Sequence, residues 1–170
     1  MKIQNQKTRK LEPWTRESFP CQTYQSSRIL MVDDDPCLCE LNAEVLRRHC
    51  YEVTTSKDGE SGWEELQINP YHLLITENNL SGITGVGLVK KLRSADMPLP
   101  VIVITGTLPS WQSAEYSWLL KATKLLKPYT IEDLLDLVKK VLDETAGVRA
   151  EMVLPRRWQS QPPLNRLRLC

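Results

Sequence analysis

The chain has 170 residues, 41% hydrophobic and 25% charged, a balance that suits one globular domain with tails and excludes a low-complexity or fibrous chain. Lys and Arg number 22 against 21 Asp and Glu, so the formal net charge is +1 and no bulk charge drives the chain onto nucleic acid or an anionic surface. No apolar run approaches the roughly 18 residues of a membrane span, and the charged N-terminus has no apolar stretch behind it of the kind a secretory signal needs.

The charge is unevenly placed. Residues 1–27 carry five Lys/Arg against two Asp/Glu, residues 28–144 twelve against eighteen, and residues 145–170 five against one. This predicts a flexible basic leader over 1–27, an acidic folded domain over 28–144 and a basic, Pro-containing, disordered tail over 145–170. No aromatic interleaving accompanies the basic ends, so nucleic acid and membrane are not expected partners. Cysteines stand at 21, 37, 39, 50 and 170, an odd number without framework spacing; reduced thiols in a cytoplasmic protein are the expectation.

Ile29–Val32 is a short apolar run that reads as a buried parallel strand. Pro36 suits a helix start, and Leu38, Leu41, Val45 and Leu46 recur at helical spacing up to about Arg48. Tyr51–Thr55 reads as a second strand. Asp58 caps a helix through Trp63 and Leu66 that stops before Asn69-Pro70. His72–Thr76 is the third strand, and Glu77–Gly85 has the chemistry of a loop.

Val86, Val89, Lys90 and Leu92 mark a helix ending near Ser94. Pro100–Thr105 is the clearest strand, and Pro109–Lys121, with Trp111, Tyr116 and Trp118, is expected to be helical. Thr123–Leu126 is the fifth strand. Thr130-x-x-Asp133 resembles a capping box for a last helix that buries Ile131, Leu134, Leu135, Val138 and Leu142. Five strands alternating with five helices make an α/β fold, a doubly wound parallel sheet covered on both faces.

In such sheets ligands bind at the carboxyl ends of the strands. Asp33, Asp34, Glu77, Thr105 and Lys127 each stand at or just past a predicted strand end, so the topology gathers them at one edge. Clustered carboxylates repel one another unless a divalent cation binds, and oxygen ligands of this kind suit Mg²⁺. A lysine and a hydroxyl opposite them would clamp a phosphoryl group. Asp35 is set apart: preceding Pro36, it reads as a helix cap.

The stretches Arg28-Ile-Leu-Met-Val-Asp-Asp-Asp-Pro36, Tyr71–Gly85, Leu99-Pro-Val-Ile-Val-Ile-Thr-Gly106 and Leu125-Leu-Lys-Pro-Tyr129 together resemble the response-regulator receiver domain of two-component signalling, from about Arg28 to Leu142. The resemblance implies a flavodoxin-like receiver fold. It implies that Asp33 and Asp34 hold Mg²⁺ with the Asn79 backbone carbonyl, and that Glu77 occupies the phosphoacceptor and metal-ligand position. It also implies that Thr105 is the hydroxyl that responds to phosphorylation, that Lys127 pairs with the phosphoryl oxygen, and that Pro128 is a proline often found in cis.

Four positions depart from the family pattern. Glu77 replaces Asp and carries its carboxylate one methylene, about 1.5 Å, further out; it is expected to reach toward Lys127 and Thr105. Lys124 stands where an aromatic is common, Ser81 where a proline is usual, and Cys50 where a helix-ending glycine avoids the left-handed penalty.

The expected function is a single-domain receiver module, not an enzyme, that signals by protein–protein contact. Its expected partner is a sensor histidine kinase or another signalling protein, with self-association through the fourth helix, fifth strand and fifth helix a further option. Glu77 makes it a pseudo-receiver or partial phosphomimic; slow phosphorylation of Glu77 is the alternative. A Mg²⁺-dependent haloacid-dehalogenase-like phosphatase is the alternative of another class, because Asp33-Asp34-Asp35 contains Asp-x-Asp, although Cys37 stands where Thr or Val is expected.

Overall fold

The computed structural model describes residues 27–106 and 122–149. The helix expected over Pro109–Lys121, with its two tryptophans, lies outside the described residues, as do the leader up to residue 26 and the tail beyond residue 149. The described elements run β1 (Arg28–Val32), α1 (Pro36–Arg48), β2 (Glu52–Ser56), α2 (Gly59–Ile68), β3 (Leu73–Glu77), α3 (Gly85–Ser94), β4 (Val101–Thr105), β5 (Ala122–Leu126) and α4 (Ile131–Arg149). All strand pairs are parallel, in the order β2-β1-β3-β4-β5.

Strand alternation sorts the core into two layers. Leu30, Val32, Leu74, Val101 and Val103 face α2 and α3, where Leu66, Leu88, Val89 and Leu92 meet them. Ile29, Met31, Leu73, Ile75, Ile102 and Ile104 face the other way, onto Cys39, Ala43 and Leu46 of α1 and Leu134, Val138 and Val141 of α4. With helices on both faces, β3 and β4 are buried along their whole length and need continuous apolar runs rather than alternation. The strand order reverses between β1 and β3, and there the helices diverge and leave a crevice at the carboxyl ends.

Helix starts follow their capping residues. Asp35 accepts hydrogen bonds from the N–H groups of Cys37 (2.9 Å) and Leu38 (3.1 Å), Asp58 from Ser61 N (2.7 Å) and Thr84 Oγ1 from Gly87 N (3.0 Å). The Thr130–Asp133 box is reciprocal: Asp133 Oδ2 accepts from Thr130 N at 2.8 Å and Thr130 Oγ1 accepts from Asp133 N at 3.1 Å. At the sheet edge, Arg47 Nη2 donates to the Val53 carbonyl of β2 (3.1 Å), covering an acceptor that a neighbouring strand could otherwise use.

The structure moves several core assignments. The buried side of α1 is Cys39, Asn42, Ala43 and Leu46, while Leu41 is 55% exposed. The expectation weighted large aliphatics, whereas a helix lying close on a sheet favours small side chains at the contact. In α3 Leu88, Val89 and Leu92 are buried while Lys90 is exposed, and in α4 Val141 is buried whereas Ile131, expected in the core, is 43% exposed at the first turn.

Glu77 and Gly85 are the last residue of β3 and the first of α3, so the loop between them is Asn78–Thr84. The last helix continues to Arg149, five residues beyond residue 144. Lys127-Pro128 is cis, and Cys50 has a left-handed φ of 68°. Among the described residues Cys37 and Cys39 are free thiols, as expected.

Candidate functional site

Asp33 follows β1 and is held by two backbone contacts. Its N–H donates to Ser56 O of β2 at 3.1 Å, and its Oδ1 accepts from Asp35 N at 3.0 Å. The side chain is 2% exposed, and Oδ2 has no hydrogen-bond partner among the described residues. A buried carboxylate oxygen left in this state is costly. Burial is the main cause that pushes the Asp33 pKa above the usual carboxylate range, with the Glu77 and Asp34 charges adding and the Asp35 N–H and Lys127 opposing. Asp34 is exposed, and its Oδ2 accepts a hydrogen bond from the Ser81 hydroxyl at 3.3 Å.

Strand periodicity carries Glu77 to the end of the Leu73–Ile75 row, on the side of the sheet that α1 and α4 cover. Its carboxylate is buried, with hydrogen bonds on one oxygen and an ion pair on the other. Oε1 accepts from Asn78 N (3.0 Å) and Asn79 N (3.3 Å), and Oε2 forms an ion pair with Lys127 Nζ. Lys127 leaves β5 with its N–H bonded to Thr105 O at 2.9 Å, which fixes the start of the lysine's reach. Partial burial alone would depress Lys127, but the Glu77 hydrogen bond and the charges of Glu77, Asp33 and Tyr129 outweigh it and hold the ammonium above its ordinary value.

Asp33, Glu77 and Lys127 are thus brought into one interacting cluster, with Asp34 at its mouth. Thr105 is fully buried at the end of β4 and joins the cluster through its backbone. Asn79 is exposed; its N–H donates to Glu77 Oε1 at 3.3 Å and its Oδ1 accepts from Asn78 Nδ2 at 3.4 Å. The expected reach of Glu77 toward Lys127 is present. Lys124 is exposed on β5. Asp35 is spent as the α1 cap, so the second acid of the Asp-x-Asp pattern is committed to backbone N–H groups and the phosphatase alternative loses its support.

Sequence reasoning missed a polar link behind the cluster. Asn42 on the buried face of α1 donates from Nδ2 to Tyr129 Oη at 2.8 Å, anchoring the segment that carries Lys127. The signal was legible as a polar residue in phase with Cys39 and Leu46. Tyr129→Phe leaves the Asn42 amide buried without that partner and is expected to cost about 1–3 kcal/mol in urea unfolding; an unchanged midpoint would refute the link. Cys39 lies beside this region, its thiol pushed up to about 11 chiefly by burial and next by Asp33, which makes it an unreactive packing residue.

The raised Asp33 pKa has a definite sign. The native state holds the Asp33 proton more tightly than the unfolded chain, so stability falls as pH rises from the ordinary Asp range through the raised native value. Asp33→Asn keeps an oxygen for Asp35 N–H and removes the buried charge. It is expected to raise stability near neutral pH by on the order of 1 kcal/mol in metal-free buffer, as relief of a functional site often does, and to flatten the pH profile in that window. Chemical denaturation at several pH values measures both.

The strand order, with its polar cluster at the β1/β3 reversal, defines a flavodoxin-like α/β domain. Residues 29–139 match the family model of the response regulator receiver domain, and the chain belongs to that family. Among curated proteins it is similar to the response regulator receiver protein CpdR of Brucella abortus, with 29% identity over 115 residues that cover 68% of this chain and 96% of CpdR. Other curated relatives are longer proteins, of which the chain spans 12 to 56%.

Among solved structures, a CheY-like receiver domain protein from Methanospirillum hungatei superposes with TM-score 0.64 at 27% identity, covering 72% of this chain and 98% of that one. TrrA of Thermotoga maritima, in complex with Mg²⁺–BeF, superposes with TM-score 0.60 at 29% identity, covering 68% and 98%. Receiver domains are signalling modules of two-component response regulators rather than enzymes. No helix among the described residues is long and apolar enough to cross a membrane.

Proposed function

We propose that this chain is a receiver module that acts in phosphorelay signalling by protein–protein contact, and that Glu77, at the phosphoacceptor position, is phosphorylated weakly or not at all. The observation that carries this reading is the engagement of both Glu77 oxygens, one by Lys127 and the other by two backbone N–H groups. An acceptor carboxylate needs an oxygen free to attack the donor and a lysine free to meet the phosphoryl group. Here each holds the other. The pair imitates a phosphorylated acceptor only in part, because Glu77 brings about one negative charge where a phosphoryl group brings nearly two.

Mg²⁺ is the cation this reading assigns to the site, as in the TrrA complex. Among the described residues no three Asp, Glu, His or Cys side chains converge as a ligand set. The fit rests on the unpartnered, buried Asp33 Oδ2 and on charge: Lys127 neutralises Glu77, and Asp33 and Asp34 leave two negative charges for one divalent ion. One or two carboxylates with retained water are what Mg²⁺ ordinarily takes. When bound, the ion would draw a phosphodonor's oxygens to the site. Asp33 and Asp34 would hold it with the Asn79 carbonyl, Thr105 would meet a phosphoryl group, and Lys127 stays paired with Glu77.

The partner is a sensor histidine kinase or another signalling protein. The contact face we favour is the open groove of about 410 Å³ between β5 and α4, where Leu126 is exposed and Lys124 and Lys140 flank Leu137. Incubation of the chain with a small acyl phosphate and Mg²⁺, followed by intact mass measurement, is expected to give no phosphoryl adduct. Efficient labelling at Glu77 would favour the slow-acceptor alternative and overturn the pseudo-receiver reading.

A further inference from the structure

We propose that Ser81 is a positioning residue of the cation site, holding the Asp34 carboxylate in place by the hydrogen bond across the mouth of the crevice; the proposal rests on the Mg²⁺ assignment above. Asp34 sits on the β1–α1 loop and Ser81 on the β3–α3 loop, 47 positions later in the chain. Asp34 is exposed, so apart from Ser81 little in its immediate surroundings restricts where its carboxylate points. Its neighbour Asp33 is the opposite case, buried at 2% exposure with one oxygen unpartnered among the described residues. A cation held by both needs the mobile carboxylate brought to the fixed one.

The reason this chain needs such a partner lies at Glu77. Its carboxylate is withdrawn into the Lys127 pair, so the site has one fewer acidic ligand to offer, and the arrangement of the remaining two matters more. A hydroxyl that donates to a ligating carboxylate orients it and limits the entropy lost when the ion binds; outer-shell partners of this kind typically contribute 10–100-fold to metal affinity. The backbone supports the placement. Gly82, directly after Ser81, takes a left-handed φ of 71° beside the Glu60 carboxylate, a turn that a side chain at 82 would strain. Proline at 81 would bring no hydroxyl, so the bond to Asp34 is specific to serine or threonine there.

The test is isothermal titration of the full chain with Mg²⁺ alone, for the wild type and for Ser81→Ala, Ser81→Thr and Ser81→Pro. Wild-type binding is expected to weaken about tenfold in Ser81→Ala and Ser81→Pro and to be retained in Ser81→Thr, the lower end of the outer-shell range. Ser81 is exposed, so thermal melts of the metal-free variants are expected to match the wild type and show that the change is in the site. Wild-type binding with an unchanged Ser81→Ala overturns the role of Ser81 and leaves the cation assignment standing. A wild type that gives no Mg²⁺ heat at millimolar concentration overturns the cation assignment itself, and the Ser81 proposal with it.

Discussion

Glu77→Asp is expected to take phosphate from a small acyl phosphate in the presence of Mg²⁺ on the order of 10²-fold faster than the wild type. Removing one methylene draws the carboxylate back by about 1.5 Å, and misplacement of a reacting atom by about 1 Å is enough for an effect of this size. The retreat lengthens the contact with Lys127, whose segment is held independently by Lys127 N to Thr105 O and by Asn42 to Tyr129. The lysine's backbone therefore keeps its place while the carboxylate draws back from the ammonium. That frees an oxygen for attack, returns an acidic ligand to the cation and leaves the ammonium to meet the incoming phosphoryl group.

Intact mass spectrometry at timed intervals measures the rate, and omission of Mg²⁺ is the control. Equal labelling of the two proteins would show that the extra methylene is not what limits the chemistry. The departures at Lys124 and Ser81 would then become the next candidates. If the wild type binds a partner as well as Glu77→Asp and Glu77→Gln do, the partial-mimic component of the reading is lost while the receiver assignment is untouched.

Gly85→Ala is expected to destabilise the domain by about 3 kcal/mol, at the upper end of ordinary overpacking. A Cβ at this position would lie 2.1 Å from the Glu77 carbonyl oxygen, 2.9 Å from the carbonyl carbon and 3.0 Å from Asn78 Cα. All three are backbone atoms, and the same stretch of chain is fixed by Gly85 N to Asn78 O at 3.0 Å and Asn78 N to Ile104 O at 2.9 Å. Nothing there can rotate away. The roughly 1 kcal/mol that alanine gains over glycine within a helix does not offset the clash.

Gly87→Ala is the comparison. Its Cβ would meet only Thr84 Oγ1, the cap on Gly87 N, at 3.2 Å and Ile83 Cγ2 at 3.3 Å, contacts that need a shift of only a few tenths of an ångström, so its midpoint in urea is expected to stay within about 1 kcal/mol of the wild type. Similar losses for the two variants would refute the assignment of Gly85 as the point where α3 rests on the end of β3. Because the contact is with Glu77 itself, combining Gly85→Ala with Glu77→Asp is expected to erase the gain in labelling even where the double variant folds.

Much of the fold was legible in local chemistry. The runs around Ile29–Val32 and Val101–Thr105 have the continuous apolar character of strands covered on both faces, and Asp35, Asp58 and the Thr130–Asp133 pair mark helix starts found within a residue or two of the expected places. The helix faces were less legible. Periodicity fixes which residues share a face but not which face turns inward when both carry apolar side chains. In α1 the large Leu41 faces solvent, while Cys39, Asn42 and Ala43 face the sheet.

The site divides the same way. That Asp33, Asp34, Glu77, Thr105 and Lys127 gather at one edge follows from strand ends alone, because a parallel sheet puts every carboxyl end on the same side. What most of them do there does not follow. The reach of Glu77 toward Lys127 follows from its extra methylene, but only the tertiary structure decided that Asp33 is left with an unpartnered oxygen, that Ser81 crosses to Asp34 and that Asn42 anchors Tyr129. Periodicity, capping and strand position are short-range properties carried by a few adjacent residues. Which oxygen meets which nitrogen depends on ångström-scale distances between loops far apart in the chain, and those distances come into being only when the two layers of helices close on the sheet.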